Sequence, residues 1–323
     1  LNMAKIIAEL CQNHNGDFAV LEKMVESVAK TGATHIKIQN IYADNLTFRS
    51  QFENGFIENG IQKTIKRPYK EEYERLKKLE LRTDQIEKFI LLSEKYDLVP
   101  MTTCFSRDNI KEIKDLGFKT LKVASYDCAS FQMLRELKDN FKEIIISTGA
   151  TYDEEIIKAS KILGNFNFSF LHCITIYPTP LEDLNLSRIK WLKNFTKEVG
   201  FSDHTLVKKD GILASKLALA FGAEIIERHY TILEEDKTKD GPVSINEEQL
   251  KQLANFSNLD KNEQFDEINS LNLDLNKIMG SETRNLTHLE ILNRDYYRGR
   301  FASRRLNNNQ PENMIYNWEE TNI

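Results

Sequence analysis

Eight short apolar runs, nearly all separated by segments of helical periodicity, constrain this chain more than anything else in it. They cover residues 5–10, 35–40, 98–104, 120–125, 143–149, 168–174, 198–202 and 224–227. Several are apolar on both faces, as strands are when helices cover a parallel sheet. Between the runs, Leu21, Met24, Val25 and Val28 recur at helical spacing, as do Ile86, Phe89 and Ile90 behind an expected Thr83 cap. Gly32, Gly117 and Gly222 stand where helices should stop. Eight strand–helix units in about 230 residues predict a closed barrel, a fold of about 250 residues. A doubly wound sheet is the alternative, but it usually has fewer strands, and no GxGxxG or GxxxxGK[ST] loop occurs. The expected fold class is therefore α/β, a (β/α)8 TIM barrel over residues 1–280, followed by a short C-terminal extension over 281–323.

Two segments break the rhythm. Residues 41–78 are rich in Asn, Glu, Lys and Tyr, with an amphipathic helix from Tyr69, and read as a long excursion over one sheet end, where such excursions cover sites. The tail from 307 to 323 is Asn-rich, lacks a core pattern and is too short for an ordinary domain. The formal net charge of −5 favours no long-range attraction to nucleic acid. No apolar stretch approaches the roughly 20 residues that span a bilayer, so no membrane partner is expected. Cys11, Cys104, Cys128 and Cys173 form no CxxC pair. With no signal peptide read at the start, they are expected to be reduced core thiols of a cytoplasmic protein.

In a barrel, the C-terminal strand ends face one pocket. In strand order these ends carry Glu9, Asn13 and His14; Lys37 and Gln39; Thr103; Lys122 and Ser125; Ser147 and Thr148; His172, Thr175 and Tyr177; Ser202, Asp203 and His204; Glu227 and His229. Lysines inside apolar strands are costly unless paired or facing an anion. Lys37 and Lys122, with the hydroxyls of Ser125, Ser147 and Thr148, suggest a phosphate or carboxylate site; a lysine paired with Glu9 as core support is the plainer reading. His204 and His229 each stand where an apolar run stops, so both imidazoles should emerge at one end. A divalent metal, a catalytic proton or an anion all remain open for them. His172 is readable as a core histidine or a site residue.

Several segments together resemble the sialic acid synthase family, the phosphoenolpyruvate-condensing NeuB-type enzymes. They are Ile7-Ala8-Glu9 with Asn13-His14-Asn15-Gly16, Ile36-Lys37-Ile38-Gln39, Leu121-Lys122-Val123-Ala124-Ser125 and Ile146-Ser147-Thr148-Gly149. His172-Cys173 through Tyr177-Pro178-Thr179-Pro180, Gly200-Phe201-Ser202-Asp203-His204-Thr205 and Glu227-Arg228-His229-Tyr230-Thr231 complete the set. The resemblance implies condensation of phosphoenolpyruvate with an N-acylated amino sugar, such as N-acetylmannosamine, to a nine-carbon 2-keto acid. It implies a divalent metal, often Mn2+, on His204 and His229, and a homodimer. It places phosphoenolpyruvate on Lys37, Lys122, Ser125, Ser147, Tyr177 and Ser202, with Glu9 and Gln39 reaching the sugar or a metal-bound water. Glu9, and less so Asp203, is expected to manage the water proton. Asn13, Thr103, Asp127, Thr148 and Thr175 complete the expected substrate contacts.

The chain departs from the family's pattern on the sugar side. Val243-Ser244 replaces a frequent Asp-His pair, Thr175 an Asn, Tyr126 a Gly and Asp127 a Glu. Only residues 293–300 resemble the start of the family's antifreeze-like domain, whose arginine completes a partner's sugar site, so the extension reads as a truncated form of it. A 3-deoxy sugar-acid synthase using a phosphorylated aldose, and a non-catalytic sugar-binding or scaffold protein, are the rival expectations.

Overall fold

The computed structural model describes residues 3–306 and 310–323; residues 307–309, part of the expected Asn-rich tail, lie outside them. The eight apolar runs become β1 (Lys5–Cys11), β2 (His35–Gln39), β3 (Val99–Thr103), β4 (Thr120–Val123), β5 (Glu143–Ser147), β6 (Phe168–Cys173), β7 (Glu198–Asp203) and β8 (Ile225–His229). Each strand pairs in parallel with the next, and β8 pairs with β1, so the sheet closes into the expected (β/α)8 barrel.

Alternation divides each strand between two environments. Outward residues such as Ile36, Ile38, Leu121, Val123, Ile144, Ile146, Phe170 and Phe201 join the helices in the main apolar core. Inward residues stack in layers. At the bottom, Lys5 bridges Glu143 at 2.6 Å and Glu198 at 2.8 Å. Above it, Ile7, Met101, Ile145, Leu171 and Ile225 form an apolar plug. Above the plug the inner layer turns polar, and that change of chemistry positions the site.

The structure differs locally from the sequence reading. The helix Thr83–Lys95 takes Arg82 as its N-cap, and the Gln85 side chain accepts the Arg82 backbone N–H at 2.9 Å. The helix expected over 211–221 runs Leu213–Ala220, and an unforeseen short helix, Val207–Asp210, precedes it and ends at Gly211, whose φ is +54°. The 41–78 excursion holds the expected helix, Tyr69–Leu79, and also a hairpin, Phe56–Glu58 with Ile61–Thr64. The tail folds back over the barrel mouth. Its helix His288–Tyr297 opens with a Thr287 capping box, and Phe301 bridges to Leu46. Further on, Arg107 donates to the carbonyls of Glu319 at 2.9 Å and Thr321 at 2.8 Å. All four cysteines are free and buried, and among the described residues no helix is long and apolar enough to cross a membrane.

Candidate active site at the carboxyl mouth of the barrel

The polar inner layer begins with two buried ion pairs. Glu9 accepts the Cys11 backbone N–H at 2.6 Å through one oxygen and meets Lys37 Nζ with the other. Lys37 also donates to Thr103 Oγ1 at 3.0 Å. Across the barrel, Lys122 Nζ lies 3.8 Å from Glu227 Oε1, which accepts the Ser202 hydroxyl at 3.2 Å. The register sets these meetings, because Glu9 is level with Lys37 and His229, Thr103 with Lys122, and Glu227 with Ser202.

The layer is under electrostatic tension. Burial pushes the Lys37 ammonium down to about 7; Lys122 adds to that shift and Glu227 opposes it. For Glu227, burial favours the neutral acid, but Lys122, Lys37 and His229 outweigh it and lower the carboxyl. Glu227 Oε2 and Ser147 Oγ are buried without a partner. Buried polar atoms left unpaired are costly, and a bound polar ligand would satisfy them. Gly149 donates its N–H to Ser125 Oγ at 3.0 Å, and a Cβ at Gly149 would sit 2.9 Å from that oxygen, so glycine permits the close approach.

These groups line a cavity of about 1140 Å³, somewhat above the roughly 300–1,000 Å³ usual for one small ligand. Of the expected site residues it gathers Glu9, Asn13, Lys37, Gln39, Thr103, Lys122, Ser125, Ser147, Tyr177, Ser202, His204 and His229. The Tyr177 ring packs over His204 with centroids 4.1 Å apart. Asn13 donates to Tyr230 O and Ser244 Oγ, both at 2.9 Å, which fixes the turn after β1 against the loop after β8.

Four expected site residues do not line the cavity. Asp203 follows Ser202 in β7 and so points the other way, into the helix layer. There it pairs with Arg228, and its oxygens accept from Thr205 and Ser215. Thr148 likewise follows Ser147, and both its N–H and its hydroxyl bond to Leu171 O. Asp127 is buried under Ser130 and the tail residue Asn317; burial raises its carboxyl to about 6, and those two bonds oppose the rise. Thr175 holds the tail, its carbonyl accepting from Asn293 at 2.7 Å. His172 also faces outward, and its Nε2 meets Leu184 O at 2.6 Å.

The cavity also has walls that the sequence reading missed: Arg67 and Arg75 from the excursion, Lys239 and Asp240 after β8, and Tyr297 and Arg300 from the tail. The ligand-type atoms of Cys11, His229 and Asp240 lie within 4.8 Å of one another. His229 Nδ1 is buried without a partner, and the His204 ring centre is 5.1 Å from that of His229. Burial lowers both imidazoles, so each is neutral near pH 7 with a lone pair to offer. Cys11 sits at a bulge of β1 with φ +43°, an uncommon backbone for a side-chain-bearing residue. A thiol, imidazoles and a carboxylate converging on an orphaned nitrogen form a donor set that fits a divalent cation. The one signal for Cys11 in the sequence is its place at the end of the first strand.

Fold and site together define a (β/α)8 barrel with a charged small-ligand pocket at its carboxyl end. The chain belongs to the NeuB family, whose profile matches residues 24–262. It is 32% identical over 266 residues to an N,N'-diacetyllegionaminic acid synthase of Campylobacter jejuni, covering 77% of this chain and 74% of that one. It is 32% identical over 253 residues to a pseudaminic acid synthase of another strain of that species, covering 77% and 71%. An N-acetylneuraminic acid synthetase of Leptospira borgpetersenii, crystallised with citrate, superposes with a TM-score of 0.68 at 28% identity over 91% of each chain.

Proposed function

We propose that this chain condenses phosphoenolpyruvate with an N-acylated amino sugar related to N-acetylmannosamine, releasing phosphate and a nine-carbon 2-keto sugar acid of the sialic acid type. The observation that carries this reading is the pair of buried lysines, Lys37 and Lys122, facing one cavity beside unpartnered Ser147 Oγ and within reach of two histidines. The names of the relatives support the same class of reaction.

In this reading Lys37 and Lys122 hold the carboxylate and phosphate of phosphoenolpyruvate, with Ser125, Ser147 and Ser202 as further donors. Their charge favours that dianion over neutral metabolites. The open-chain sugar lies toward His204 and His229, oriented by Gln39, Asn13 and Tyr177. A divalent cation held by His229, Cys11 and Asp240, with His204 beside them, supplies polarisation of the sugar aldehyde when bound; manganese is the first to try. C3 of phosphoenolpyruvate bonds to the aldehyde carbon, whose oxygen takes a proton. Water adds at C2, with Glu9 accepting its proton, and the tetrahedral C2 centre expels phosphate by C–O cleavage, leaving the 2-keto acid. Residues 1–280 form the synthase barrel in this scheme, and 281–323 stand in for the family's antifreeze-like region. The test is phosphate release from phosphoenolpyruvate with manganese and a panel of acetamido sugars. No release with any acceptor, together with no metal-dependent binding of phosphoenolpyruvate, refutes the proposal.

A further inference from the structure

The outer part of the cavity carries charge that the condensation leaves unused. Arg67 and Arg75 reach it from the 41–78 excursion, Lys239 from the loop after β8 and Arg300 from the tail. Among the described residues one carboxylate, Glu72, answers these four cations: Arg75 holds it at 2.9 Å and Arg300 also pairs with it. Arg67 donates to the Tyr297 hydroxyl at 2.7 Å instead of to a carboxylate. The guanidinium carbons of Arg67 and Arg300 each lie 5.4 Å from the Tyr297 ring centre. Arg300 Nε is buried without a partner, and no ion pair of Lys239 occurs among the described residues. Glu71 and Glu74 also line the cavity but pair with none of the four.

A clamp that only tied the tail to the excursion needs about one cation per carboxylate. Here three unlinked segments deliver a surplus to one spot that opens into the cavity, and like charges gathered this way repel. An added anion would relieve that repulsion and satisfy Arg300 Nε.

We infer that Arg67, Arg75, Lys239 and Arg300 form a subsite for an anionic group, phosphate or carboxylate, borne by the acceptor sugar at the end remote from its aldehyde. The inference rests on the condensation reading for what the ligand is, and it makes the preferred acceptor a sugar phosphate or a uronic acid. The experiment is calorimetric titration of the manganese-loaded protein with N-acetylmannosamine, its 6-phosphate and the corresponding C6 carboxylate. The parent, Lys239→Met and Arg67→Gln are compared. One charged sugar should bind at least about tenfold more tightly than the neutral one, and each variant should lose about tenfold of that preference, the scale of one charge-assisted hydrogen bond. Whether the phosphate or the carboxylate binds more tightly identifies the group. Equal affinity for neutral and charged sugars overturns the inference, as does a preference that survives both variants. Thermal unfolding of the same variants exposes a purely structural clamp, which would cost stability and leave the preference intact. Phosphate release measured alongside separates the two readings. Selective binding without turnover of any acceptor supports the subsite and sinks the condensation, whereas turnover without charge preference does the reverse.

Discussion

Asp203→Asn separates a scaffold role from a chemical one for a carboxylate that lies one residue from the cavity wall. The Asp203 and Arg228 side chains are each 0% exposed, and they pair directly across β7 and β8. Oδ1 of Asp203 accepts the Thr205 backbone N–H at 2.9 Å and the Thr205 hydroxyl at 2.7 Å; Oδ2 accepts Ser215 Oγ at 2.6 Å. Among the described residues Arg228 has otherwise only Thr205 Oγ1 at 3.1 Å and Thr205 O at 3.2 Å, and its Nε is already orphaned. Asparagine can keep the Oδ1 bonds, but it sets an amide where the guanidinium needs a charge and obliges Ser215 to turn. Removing one partner of a buried pair costs about 3–5 kcal/mol. Ser215→Ala, which deletes one hydrogen bond, should cost about 1 kcal/mol. Urea unfolding at constant m-value reads both as shifts in midpoint. In the folded range, Asp203→Asn should keep its phosphate release within a few-fold of the parent. A variant within about 1 kcal/mol of the parent would refute the scaffold assignment. So would a fully folded variant whose phosphate release falls about a hundredfold or more.

Three further outcomes follow from the same geometry. Lys122→Met should weaken phosphoenolpyruvate binding by about 10–100-fold in a direct titration, since it removes one charge-assisted anchor; unchanged affinity would move the anion elsewhere. Burial lowers His14 and His35 to about 4 and His172 to about 3, so each is neutral when folded and becomes charged below about 6.5 when unfolded. The unfolded chain then binds more protons, so stability falls as pH drops from about 6.5 toward 4, by up to about 3 kcal/mol per histidine; His172→Gln should flatten this slope in unfolding titrations across that window. In cobalt-substituted protein, Cys11→Ser should abolish a thiolate-to-cobalt charge-transfer band and lower metal retention, and a spectrum identical to the parent's would remove Cys11 from the donor set.

The barrel was legible because each parallel strand must be apolar toward the helices, which leaves eight unmistakable runs. The inner end of the site was legible for the complementary reason. A lysine such as Lys37 or Lys122 that shares the inward parity of such a run reaches the pocket. Two misplacements, Asp203 and Thr148, came from treating a strand end as a cluster and ignoring its alternation. Ser202 and His204 share one parity and Asp203 the other; Ser147 likewise faces in and Thr148 out. The same rule sends Arg228 outward between Glu227 and His229, so the partner of Asp203 could also have been read from the chain. Asp127 and Thr175 followed no such rule. They lie in turns, and what covers them is the tail, through Asn317 and Asn293.

The outer end of the cavity was illegible for a different physical reason. Arg67, Arg75, Lys239 and Arg300 occur in polar, charge-rich segments where any one of them looks like ordinary solvated surface. Nothing in periodicity or spacing links an excursion after β2, a loop after β8 and a tail; only barrel closure, which sets β2 and β8 on either side of β1, brings them to one rim. The two ends of the pocket therefore answer to different constraints. Changing Lys37 or Lys122 alters a buried ion-pair layer resting on the barrel's apolar plug, so the inner chemistry is tied to the fold's stability. Changing a rim residue disturbs mainly loop-borne contacts, so acceptor choice can shift without rebuilding the barrel. In the proposed reading, that asymmetry assigns selection of the sugar to the rim where the excursion, the loop after β8 and the tail meet, and leaves the lysine layer to the reaction itself.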